Sequence, residues 1–117
     1  MYKENIIEVH QKIKPYIHNT TVLSSKLLNE IVGAKLYFKC ENFQKMGAFK
    51  MRGATNAILK LSKFQRSKGV VTHSSGNFAQ ALSLAEQSIG IKAYIVMPSN
   101  ATKIKKEGVI GYGGILI

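Results

Sequence analysis

The sequence predicts an α/β fold, a three-layer arrangement around a parallel sheet, on three observations. From Gly69 onward, short apolar runs at residues 70–72, 93–97 and 115–117 alternate with helical stretches at 77–89 and 102–112. This βαβαβ order calls for parallel strands with the connecting helices packed on the sheet. Stop signals fall between the elements, with Gly90 after the long helix and Pro98 after the second strand. Finally, the chain has 117 residues and is 45% hydrophobic, enough to bury a core of one-domain size.

The elements follow in order. Ile6, Ile7, Val9, Ile13 and Ile17 fall near helical spacing, and Pro15 should end or kink that helix. Residues 20–23 read as a short extended piece. Ser24 or Ser25 can then cap a helix through Glu30 that stops at Gly33. Residues 35–40 alternate, with Leu36, Phe38 and Cys40 on one face and Lys35, Tyr37 and Lys39 on the other, as in a half-buried strand. A loop over 41–47 leads into a helix over about 49–61 with Ala54, Ile58 and Leu61 facing inward. The helix at 102–112 should be weak, because Gly108 and Gly111 each cost about 1 kcal/mol relative to Ala.

Charge and composition exclude several classes. The formal charge of +11 suggests a polyanion partner, yet 15 of the 17 basic residues are Lys, and only Arg52 and Arg66 are Arg. Base readout and bidentate phosphate contacts favour Arg, and these lysines are scattered, so a solvated surface is expected and no nucleic acid. Cys40 is the only cysteine, which rules out an intrachain disulfide and makes the cytoplasm the expected compartment. The first eight residues carry acids and no sustained apolar stretch, so neither a signal peptide nor a membrane span is expected. Asp is absent and only six Glu occur, leaving few residues for paired-carboxylate hydrolysis. His10, His18 and His73 have no metal-ligand spacing, and no metal is expected.

Two motifs carry chemistry. Gly47-Ala48-Phe49-Lys50-Met51-Arg52-Gly53-Ala54 presents a lysine amine, a nucleophile toward carbonyl compounds. Thr72-His73-Ser74-Ser75-Gly76-Asn77-Phe78-Ala79-Gln80 follows a strand and opens a helix, where unpaired backbone N–H groups can receive a carboxylate or phosphate. Each has a plainer reading. A given Lys in so Lys-rich a chain is a surface residue, Phe49 can be a core residue, and Ser75 or Asn77 can be a helix cap.

With Glu41 to Ala54 and Thr72 to Asn77 in this order and spacing, the chain resembles the serine racemase, serine/threonine dehydratase and hydroxyaspartate dehydratase group of fold-type II pyridoxal-phosphate enzymes. The likeness covers nearly the whole chain and makes it the N-terminal portion of such an enzyme. It implies that residues 1–68 belong to the larger, cofactor-binding domain and 69–117 to the first part of a smaller βαβ domain. It also implies pyridoxal 5'-phosphate as cofactor, held covalently by Lys50 beside Phe49 and contacted by Asn77. Lys50 would then remove the substrate's Cα proton. Ser74, Ser75, Gly76, Asn77 and Gln80 would bind the substrate, with Ser75 acting on the face opposite the lysine. Phe78 stands where the family usually has His, and Ala48 where it usually has Ser or Thr.

In longer members a glycine-rich phosphate loop and a partner for the pyridine nitrogen come from sequence beyond the matching part. The expected function is a dehydratase or racemase acting on serine, threonine or 3-hydroxyaspartate. A non-catalytic remnant of such an enzyme and a basic binding module are the competing classes. An open sheet edge at the last strand also predicts self-association, and a homo-oligomer is expected.

Overall fold

The computed structural model describes residues 3–117. Helix α1, Lys3–Ile13, gives way to a 3-10 turn over Lys14–Tyr16 that holds Pro15 in its first positions. Proline lacks the N–H that would continue the α-helical ladder, so the expected kink is realised as a change of helix type. Ile13 and Ile17 are buried, whereas Ile6 and Ile7 of the same apolar stripe stay exposed.

Strand β1, Val22–Leu23, pairs antiparallel with β2, Phe38–Lys39, around helix α2, Lys26–Val32. The caps of α2 follow the sequence. Ser25 Oγ accepts from Leu28 N at 3.3 Å, and Gly33 closes the helix in the left-handed region at φ 70°. The strand expected over 35–40 shortens to two residues. Its partner offers only two rungs, and Phe38 remains 45% exposed, leaving Cys40 as the one buried residue of the alternation. Alternation marks a face that needs cover, and the described residues bring none to Phe38.

The expected loop contains two 3-10 turns, Glu41–Phe43 and Lys45–Gly47, before helix α3, Lys50–Lys60. Met51, Ala54, Thr55 and Ile58 form its buried stripe. Leu61, expected to face inward from the helix, is instead the C-cap in an extended conformation. Helix α4, Lys63–Ser67, was not expected. A capping box forms it, in which Ser62 Oγ accepts from Gln65 N and Gln65 Oε1 accepts from Ser62 N.

Strands β3, Val70–His73, β4, Ala93–Val96, and β5, Ile115–Leu116, form a parallel sheet in the order 3-4-5. Helix α5, Asn77–Ile89, and helix α6, Lys103–Gly111, make the crossovers. The α/β fold with a parallel sheet is thus the one the alternation predicts. Helix α5 is central, packing on α3, on α6 and on β4. Of the glycines that should weaken α6, Gly111 borders open space, but Gly108 has a compensating use. A Cβ at Gly108 would lie 2.9 Å from Gln80 Cδ, and one at Gly114, beyond the end of α6, would overlap Ser83 Oγ. Both glycines admit a close approach to α5 that a side chain would block.

The core holds one costly group. Glu86 on α5 is fully buried, and neither carboxylate oxygen has a hydrogen-bond partner among the described residues. Burial pushes its pKa up from 4.5 to about 8. The folded state therefore binds a proton that the unfolded chain releases above pH 4.5, and stability should fall as pH rises from 4.5 through 8. The full span corresponds to at most about 5 kcal/mol. Urea unfolding across this range should show the decline, and Glu86→Gln should flatten it. A wild-type stability that does not change between pH 5 and pH 8 would contradict this account.

Candidate active site

The segment that delivers Lys50 is fastened on both sides. Gln44 is buried, and its Oε1 accepts from His18 N at 2.8 Å and Lys45 N at 3.0 Å, while its Nε2 donates to His18 O at 2.9 Å. This ties the loop to the chain leaving the first helix. Arg52, two residues beyond Lys50, grips Glu41 with both arms of its fork, Nε to Oε2 at 2.8 Å and Nη2 to Oε1 at 2.7 Å. Thr20 also donates to Glu41 Oε1, and Lys39 Nζ donates to the Thr20 carbonyl. The Arg52 hydrogen bonds are the main cause that holds the Glu41 carboxyl down at about 2, with help from Thr20 and the charges of Arg52 and Lys39.

Between these anchors the backbone turns sharply. Met46 adopts φ 54° and Gly47 φ 73°, and Met46 is the one non-glycine with positive φ among the described residues. Left-handed backbone at a non-glycine costs of order 1 kcal/mol and persists where its surroundings fix it, here beside a half-buried Met46 side chain packed on the core. The chain then runs through buried Ala48 and exposed Phe49 to Lys50, the first residue of α3. Lys50 is exposed, and its Nζ lies 4.9 Å from the centroid of the Phe49 ring.

The second motif sits at the carboxy-terminal end of β3. Ser74 N donates to Val96 O at 3.2 Å, extending the sheet pairing, and Ser74 Oγ accepts from Gly76 N at 3.4 Å. Gly76 is the N-cap of α5 and no side chain caps the helix. The capping role open to Ser75 or Asn77 is therefore not taken. No hydrogen bond among the described residues engages the N–H groups of Ser75, Asn77 or Phe78, and a Cβ at Gly76 would meet nothing within 4 Å. Open donors, unfilled space and a helix N-terminus together suit an anion.

The fold brings the two motifs onto neighbouring elements. The 3-10 turn Lys45–Gly47 before Lys50 packs against α5, whose first residue is Asn77, and α3 packs along the same helix. Asn77 is exposed, and Ser74, Ser75 and Gly76 are half-buried. Gln80 is directed elsewhere: its amide lies against Gly108 on α6. The Glu41–Arg52 pair and the Gln44 amide were not singled out in the sequence, although Glu41, Gln44 and Arg52 all lie in or beside the lysine motif. Pyridoxal phosphate fits these residues on three counts: an exposed amine, an aromatic ring beside it, and a turn with unpaired N–H donors. No helix is long and apolar enough to cross a membrane, and no cluster of three His, Cys, Asp or Glu residues could hold a metal, among the described residues.

The family model described as pyridoxal-phosphate dependent enzyme matches residues 13–117. The chain is 60% identical over 113 residues to a serine racemase of Arabidopsis thaliana, covering 97% of this chain and 34% of that protein. It is 51% identical to a beta-hydroxyaspartate dehydratase of Paracoccus denitrificans, covering 97% and 36%. A solved structure of maize serine racemase superposes with a TM-score of 0.93 at 54% identity, covering 97% of this chain and 35% of that one. The chain thus spans about one third of the length of these relatives.

The clamp around Lys50 can be tested directly. Arg52→Lys loses the two-armed grip and should destabilise the chain by about 1–3 kcal/mol in urea unfolding. The lowered Glu41 pKa gives stability that is present above pH 4.5 and lost as pH falls toward 2. Glu41→Gln should remove that acid-side decline.

Proposed function

We propose a function on one premise: the chain belongs to the pyridoxal-phosphate dependent enzyme family. Within it, the chain supplies the lysine and the substrate turn of a racemase or ammonia-lyase acting on a small hydroxy amino acid, with serine, threonine and 3-hydroxyaspartate as the candidates. The observation that carries this reading is the exposed Lys50 amine on a fastened segment that packs against α5, the helix opened by a turn whose N–H groups have no partner among the described residues. A cytoplasmic, homo-oligomeric enzyme, with residues 1–68 in a cofactor-binding domain and 69–117 opening a second, is part of the same proposal.

When bound, pyridoxal phosphate supplies an electron sink for negative charge at the substrate Cα. The chain's own residues do the rest. Lys50 is the cofactor's attachment point and, as a free amine, the base that takes the Cα proton; Phe49 flanks the ring. To act as a base the amine must be uncharged, a form that a closed, desolvated site favours. Asn77 donates to the cofactor's phenolic oxygen. The N–H groups of Ser75 and its neighbours bind and orient the substrate carboxylate, with Ser74 and Gly76 shaping the turn. Gln80 borders this turn one helical turn on, with its amide packed on Gly108. Ser75 Oγ holds or returns a proton on the face opposite Lys50, which racemisation needs and loss of water does not.

Incubation with pyridoxal phosphate, borohydride reduction and peptide mapping should place one stoichiometric label on Lys50. Labelling spread across many lysines would contradict the assignment and favour a non-catalytic remnant. In an active, longer form, Lys50→Ala should abolish turnover, whereas residual dehydration within about tenfold of wild type would refute its role. Ser75→Ala should suppress racemisation more than elimination. Equal loss of both would leave Ser75 a structural part of the turn.

A further inference from the structure

We propose that the cleft at the amino-terminal ends of β3 and β4 binds a small oligophosphate anion. It lies at the opposite ends of these strands from the Ser74–Gly76 turn and stands independently of the reading given above. The cleft measures about 500 Å³ and is lined by Lys63, Arg66, Lys68, Gly69, Lys92 and Tyr94, among others. Four cationic residues line this one cleft, and no glutamate is among its lining residues. The ion pairs among the described residues use Lys12, Lys26, Arg52 and Lys103, so none of the four cleft cations is neutralised by a carboxylate. Like charges held together repel, and a multiply charged anion relieves that repulsion.

The cleft is also built, unlike a loose lysine surface. Gly69 has φ +76°, and a Cβ there would lie 2.8 Å from Lys92 O and 3.2 Å from the Tyr94 ring. The turn before β3 therefore lies against β4 as only glycine allows, and Val70 N donates to Lys92 O at 2.9 Å. Arg66 is held in place, with Nε donating to Leu61 O at 3.0 Å and Nη2 to Leu59 O at 2.7 Å, and Nη1 has no partner among the described residues. Lys68 Nζ rests 5.2 Å from the centroid of the Phe64 ring. Arg66 is thus restrained before any ligand arrives, which lowers its ordering cost on binding. A compact di- or triphosphate group matches four charges around one short cleft better than an extended strand, which needs a continuous basic groove.

Inorganic tripolyphosphate is the probe, titrated calorimetrically into the chain at low ionic strength. Saturable binding near one equivalent is expected, with a rise in melting temperature. Lys68→Ser/Lys92→Ser should weaken it at least tenfold, whereas the control Lys26→Ser/Lys105→Ser, of equal charge change, should stay within about twofold. Equal weakening in both would reduce the effect to overall charge and overturn the site. Amide shift mapping on the unmodified chain gives a reading that no variant's folding can confuse. Shifts centred on residues 66–69 and 90–92 support the proposal, and shifts centred on residues 75–78 overturn it. An oligonucleotide that binds more tightly than tripolyphosphate and resists displacement by it would also overturn the choice of ligand.

Discussion

The two-armed pair between Arg52 and Glu41 is the interaction on which the rest of this molecule turns. It joins three stretches far apart in sequence, through Thr20 after the first helix, Glu41 at the end of β2, and Arg52 in the first turn of α3. Partial burial removes competing water while the fork fills both carboxylate oxygens, which is where a charged pair contributes most. Gln44 repeats the logic with a neutral amide against the His18 backbone. Between these two fastenings lie Met46 and Gly47, whose left-handed turn would otherwise relax. Lys50 inherits its position from this frame more than from its own contacts.

The chain uses its few acids in opposite ways. Glu41 is stabilised as an anion, and Glu86 is buried with no side-chain partner among the described residues. Glutamate at 86 sits in the packed core of α5, so the helix carries a group that is comfortable only when protonated. The central position of α5, between α3 and the sheet, makes that choice matter to the whole core.

Much of this was legible in the sequence because local pattern and local structure agreed. Ser25 and Gly33 bound α2, Gly90 ends α5, and the strand and helix rhythm after Gly69 gives the parallel sheet. The failures have physical causes. Alternation over residues 35–40 described a face in need of cover, and Phe38 found none. Helix α4 announced itself through Ser62 and Gln65, a capping signal in a stretch too short for hydrophobic periodicity to register. Gly108 of α6 looked like a weakness until its contact with Gln80 was known. At the site, the motifs marked Lys50 and the Ser74–Asn77 turn, but periodicity could not show that Gly76 itself would cap α5, nor that Gln80 would turn to α6.

The sheet's spatial order repeats its order along the chain, β3 then β4 then β5, each added beside the one before. A strand inserted late between two earlier ones would require those two to wait apart until it arrived. Here nothing waits. As the polypeptide leaves the ribosome, each strand finds the edge it pairs with already made, and the crossover helix emerges between the two. Within these three strands, assembly can therefore keep pace with synthesis, with no gap in the sheet left to be filled.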